Sequence, residues 1–151
     1  MSHAADIAEL VRSMGYILAT PKNTLTPSYY KLGDGTILSV LIKINHVLAD
    51  APESGDGAVH HSTELLVFAP NRQKPRRSTP QNQPSTIIDQ DVACTPIREE
   101  FNDYAVGKDI IVSAKAVVGQ VAKTDACSDV GEPVYNISVL PVIKVVDKRR
   151  L

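Results

Sequence analysis

Residues 109–125, DIIVSAKAVVGQVAKTD, and residues 35–51, GTILSVLIKINHVLADA, read as one strand written twice. In the earlier stretch Leu38, Val40, Ile42 and Ile44 recur with period two, which places them on one face of a strand. Their counterparts 74 positions later, Val112, Ala114, Ala116 and Val118, are all apolar too. The opposite faces carry Ser39 and Lys43 in one copy, Ser113 and Lys115 in the other. The same ungapped offset aligns Tyr30 with Tyr104, Gly33 with Gly107, Val47 with Val121 and Leu66 with Leu140. With one residue of adjustment, Ala19-Thr20-Pro21 meets Cys94-Thr95-Pro96.

Past Asn45 and Gly119 the apolar parity slips, and Val47 and Val121 fall on the formerly polar side. A straight strand of this length would span roughly 50 Å, too long for so small a domain. The slip therefore predicts a bulge or bend at Asn45 and at Gly119, both residue types that tolerate positive φ. The expected fold is mainly β: about six strands in two related three-stranded halves forming a barrel or sandwich. A short N-terminal helix and a short helix near 96–102 complete it.

The chain divides accordingly into a helix (1–15), a first β repeat (16–70), a linker (71–86), a second β repeat (87–147) and a basic tail (148–151), all within one compact unit. Ile7, Leu10, Val11 and Met14 form a helical stripe suited to cover an open barrel end, and Gly15 ends that helix. Residues 71–86 are rich in proline, glutamine and basic side chains and cannot bury a core of their own. Thr95 and Pro96 have the chemistry of an N-cap and first helical residue, with Glu99 and Glu100 behind them. Pro141 interrupts the last strand, which must be bulged there or lie at an edge.

An apolar content of 43% supports a real core, and a net charge of −1 gives no general attraction to nucleic acid or membrane. Cys94 and Cys127 lack C-x-x-C spacing and read as two thiols, with one disulfide as the alternative. No secretion signal or membrane-length apolar run stands out, so a cytoplasmic protein is expected. His60 and His61 adjoin and point to opposite faces; only His46 with His61 across a hairpin would approach a metal geometry. Asp89 and Asp91 share a strand face but have no nucleophile beside them. Phosphate-binding, dinucleotide, zinc-protease and nucleophile-elbow motifs do not occur. No enzyme activity, catalytic residue, metal, cofactor or small-molecule ligand is expected.

Two interaction readings remain. Arg72, Lys74, Arg76, Arg77, Lys148, Arg149 and Arg150 offer phosphate contacts, with Lys144 nearby and Tyr29 and Tyr30 for stacking. That would suit a small nucleic-acid-binding barrel of OB-like or Sm-like type. The stretch KLGDGTILSVLIKINHVLADAPE resembles the first signature of Sm-like RNA-binding rings, although its centre is shortened and no second signature follows. The reading preferred on sequence is a non-enzymatic structural or protein-interaction domain, a component of an assembly or a self-associating chain. Ile37, Leu41, Ile111 and Val117, apolar residues on the outer strand faces, are its candidate interface.

Overall fold

A computed structural model describes residues 3–49, 58–70, 86–127 and 132–148. One helix, α1 (His3–Ser13), precedes nine strands: β1 (Tyr16–Pro21), β2 (Ser28–Leu32), β3 (Ile37–Leu48), β4 (Val59–Phe68), β5 (Ile87–Asp89), β6 (Cys94–Arg98), β7 (Asn102–Val106), β8 (Ile110–Cys127) and β9 (Pro133–Asp147). They form one curled antiparallel sheet in the order β5-β8-β7-β1-β3-β2-β6, with β4 paired to β3 and β9 to β8 outside that path. The ends of the path, β5 and β6, are consecutive in the chain. Residues between them bond to both sides: Val92 N to Val121 O at 2.9 Å and Gly33 N to Ala93 O at 2.8 Å. These bonds draw the curl together around its core.

The core is the set of side chains that period-two patterning turns inward. Leu38, Val40, Ile42 and Ile44 of β3 meet Val112, Ala114 and Ala116 of β8, with Tyr30, Leu32, Tyr104 and Val106 between them. Val40 and Ala114 are wholly buried. Each large aliphatic so buried stabilises the fold by about 1.5–3 kcal/mol. The β3–β4 ladder shifts register between Ile44 and His46, and the β8–β9 ladder between Val118 and Val121, so the bulges lie where the parity slips. Val47 and Val121 thereby return to the interior. Neither Asn45 nor Gly119 has a positive φ; the extra residue makes the bend without a left-handed conformation.

Several registers recur at the offset of 74. β2 pairs β3 from Ser28↔Val40 to Lys31↔Ile37, and β7 pairs β8 from Asn102↔Ala114 to Ala105↔Ile111. The halves also exchange strands: Ala19, Thr20 and Pro21 pair with Val106, Ala105 and Tyr104, while Cys94, Thr95 and Pro96 pair with Leu32, Lys31 and Tyr30. The hairpins depart from the offset, for Ile42 faces Thr63 whereas Ala116 faces Pro141. Leu66 is therefore matched in space by Lys144, not by Leu140.

Two tyrosines close gaps left by this arrangement. Along β3, β2 pairs as far as Val40 and β1 begins at His46, which strands the inward backbone groups of Ile42 and Ile44. Tyr104 fills the gap: its hydroxyl donates to Ile42 O at 2.8 Å and accepts from the Ile44 N–H. Tyr30 does the same for β8, donating to Ala116 O at 3.2 Å and accepting from Val118 N at 3.1 Å.

Three expectations are corrected and one is met. Residues 96–102 form no helix, because Cys94–Arg98 supplies the ladder that completes β2, and that pairing overrides capping chemistry local to Thr95 and Pro96. The strand expected over 86–94 shortens to β5, and β2, β6 and β7 are added, which gives nine strands among the described residues instead of six. The helical stripe does not cap the barrel: Ile7, Leu10 and Met14 are exposed and only Val11 is half-buried. Pro141, as expected, lies in an edge strand, since β9 pairs with β8 alone. The linker at 71–85 and the turns at 50–57 and 128–131 lie outside the described residues.

Candidate functional site

The outer faces of the two long hairpins each present a group of exposed apolar side chains. On the first, Ile37 of β3 faces Phe68 of β4, and Ser39 faces Leu66; Leu66 and Phe68 are 46% and 54% exposed. On the second, Ile111 faces Val146 and Val117 faces Leu140, which is 61% exposed. Ile37, Ile111 and Val117 are half-buried members of these patches. Leu41 is not available, being 7% exposed. It sits mid-strand in β3, and its partner Glu64 leans across the same face to Lys43 Nζ at 2.7 Å. The more exposed Leu66, Phe68, Leu140 and Val146 went unnoticed in the sequence, although their period-two spacing opposite the inward residues marks them.

The nucleic-acid candidates separate. Tyr30 is 2% exposed and cannot stack on a base. Its one hydroxyl proton is shared between Ala116 O and the Glu99 carboxylate, and burial, with Glu99 second, raises its pKa. Tyr29 is half-buried with the Arg98 guanidinium 5.0 Å from its ring centre, so one ring face already carries a cation. Lys148 is exposed. Arg72, Lys74, Arg76, Arg77, Arg149 and Arg150 lie outside the described residues. A basic site of which the sequence had singled out only Lys144 lies on the outer face of β7 to β9. There Lys115 and Lys144 place their ammonium groups 4.8 and 4.4 Å from the ring centre of Phe101. Phe101 also lines a polar cleft of about 160 Å³ with Asn23, Thr24, Thr26, Asn102 and Asp103.

The titratable groups make structural contacts. His46 stacks on His60 with ring centres 4.6 Å apart, Tyr16 meets it edge-on, and Asn45 Nδ2 lies 3.0 Å from His60 Nδ1. The cross-hairpin partner of His46 is thus His60, not His61. Burial, and then the charge of His60, lower the His46 pKa. Tyr135 donates to Asp34, and burial followed by that bond raises the phenol to about 12. For Asp34 burial alone would raise the carboxyl, but bonds from Tyr135 and Thr36 and nearby Lys123 outweigh it and lower the pKa. Burial, then Glu99, raises the Cys94 thiol, and Cys94 and Cys127 are both unbridged.

A second cleft, about 330 Å³, lies beside the Gly119 bulge. Its polar groups, Gln90, Gln120, Asn136 and Ser138, are neutral and have no ready means of moving a proton. Among the described residues no three His, Cys, Asp or Glu gather in a metal-holding group, and no helix is long and apolar enough to cross a membrane. Family models, curated proteins and solved structures yielded no match to this chain.

Proposed function

We propose that this chain is a non-enzymatic structural or protein-interaction domain that works as a component of an assembly. The observation that carries the proposal is the pair of apolar outer faces, Leu66 with Phe68 and Leu140 with Val146, each on a strand that among the described residues is paired along one side only. Apolar side chains grouped on a free edge lower free energy when a partner covers them. Exposed Ile7, Leu10 and Met14 on α1 add a further apolar stripe. The two halves are read as copies of one ancestral unit, supported by the registers that recur 74 residues apart. A cytoplasmic setting belongs to this reading, two cysteines without C-x-x-C spacing being too few for a disulfide framework. Size-exclusion chromatography with light scattering tests the proposal. A defined oligomer, or a stoichiometric complex, supports it; a lone monomer with no co-purifying partner refutes it.

A second reading, contact with single-stranded nucleic acid, has its own observation. Two ammonium groups converge on Phe101, and neither Lys115 nor Lys144 has a carboxylate within ion-pair distance among the described residues. A phosphate between them and a base on the ring would satisfy both charge and stacking. Binding of a labelled oligonucleotide should then weaken steeply with salt and on Lys115→Gln with Lys144→Gln. Salt-independent or absent binding discards this reading.

A further inference from the structure

Among the described residues the two hairpins leave two unpaired edges, β4 and β9, and these edges are not treated alike. Antiparallel partners turn their N–H and C=O groups either toward each other or both away. Ala116 O and Val118 N face the Tyr30 hydroxyl, on the side of β8 away from β9. Pro141, opposite Ala116, therefore turns its nitrogen toward the free edge of β9. A proline there has no N–H to offer, which blunts the edge. Ile42 O likewise faces Tyr104, away from β4, so Thr63, opposite Ile42, turns its N–H and C=O outward. Thr63 holds on β4 the place that Pro141 holds on β9, and it leaves that edge open.

We infer that β4 pairs antiparallel with β4 of a second copy of this chain across a twofold axis. This rests on the assembly reading above and names its partner. The strand VHHSTELLVF contains no proline, glycine, lysine or arginine, the residues that protect edges elsewhere. Its outward-turned groups fall at alternate positions, Thr63, Leu65 and Val67. A twofold through Leu65 sets Leu65 against Leu65 of the other copy and Thr63 against its Val67, so donors meet acceptors. On the outer face that register puts Glu64 against Leu66 of the mate and brings no like charges directly opposite. Each Glu64 also keeps Lys43 of its own chain at 2.7 Å. If both edges were open, β4 of one copy could add to β9 of the next and chains would grow without closing. Pro141 blocks that route, and the assembly stops at two.

Light scattering on the purified full chain should give twice the 16.3 kDa mass of one chain. Thr63→Pro, which copies onto β4 the device present on β9, should halve that mass with the circular dichroism spectrum unchanged. Pro141→Thr should do the opposite and yield species larger than two copies. Should Thr63→Pro fail to fold, Thr63→Lys places a charge on the same edge and should also give the single-chain mass. A wild-type measurement needs no variant: the Thr63, Leu65 and Val67 amides should be protected from hydrogen exchange in concentrated protein and lose protection on dilution. A wild-type monomer, or unprotected amides at high concentration, overturns the twofold pairing and leaves assembly with other proteins to its own test. A native Thr63→Pro or Thr63→Lys protein that keeps the double mass places self-association elsewhere, overturning this pairing while sparing the assembly reading.

Discussion

Tyr104→Phe removes a single oxygen and strands two backbone groups. The hydroxyl serves Ile42 O at 2.8 Å and the Ile44 N–H in the gap between β2 and β1. The ring is 1% exposed, so water has little access to either group. A buried group left without its partner costs about 1–3 kcal/mol, and two of them give about 2–6 kcal/mol. That is a large share of the roughly 5–15 kcal/mol that holds a typical domain. Tyr30→Phe removes more hydrogen bonds yet should cost less. Ala116 O keeps a second donor, Ser28 Oγ at 3.0 Å, so the Val118 N–H is the main group orphaned, at about 1–3 kcal/mol. Asn102, which stands 74 residues after Ser28, bonds to Thr26 instead and gives Ile42 O no such reserve. Urea unfolding followed by circular dichroism measures both variants, with an unchanged denaturant slope showing that the same surface is exposed. If Tyr104→Phe lies within about 0.5 kcal/mol of wild type, or Tyr30→Phe costs more, the gap-closing role is wrong.

Two pH dependences follow from the folded-state shifts. His46 binds its proton less readily folded than unfolded, so its contribution is fully present above about pH 6.5 and is lost as pH falls toward the lowered folded value. His60→Asn removes the second cause of that shift and should reduce the loss; a urea midpoint equally pH-dependent in both proteins contradicts it. Tyr135 holds its proton to about pH 12 when folded, against about 10 unfolded, so stability should decline as pH rises through that interval. Tyr135→Phe should flatten the alkaline decline, and an unaltered slope would show that other groups cause it.

The inward faces of β3 and β8, both bulges and the edge position of Pro141 were legible because each follows from period-two packing or a missing N–H. The conformation at the bulges was not: Asn45 and Gly119 tolerate positive φ but do not use it. Residues 94–98 misled because Thr95 and Pro96 carry real capping chemistry, while the β2 edge that captures them lies more than sixty residues earlier in the chain. Tyr30 looked like a stacking residue because sequence does not reveal that a tyrosine hydroxyl is taken up by a carbonyl across the core. Phe101 was overlooked because Lys115 and Lys144 come from different strands and meet it only once β8 and β9 pair.

The exchange of β1 and β6 makes each half a tenant of the other. A fragment ending before Ile87 would leave Tyr30 and Leu32 without Cys94 and Pro96 beside them, and its own Ala19 and Pro21 would have no Val106 or Tyr104 to join. Damage on either side is thus shared, and calorimetry should record a single unfolding transition. A chain cross-laced in this way can vary in its outer loops and edges, but neither segment can be cut away without leaving the other a strand short.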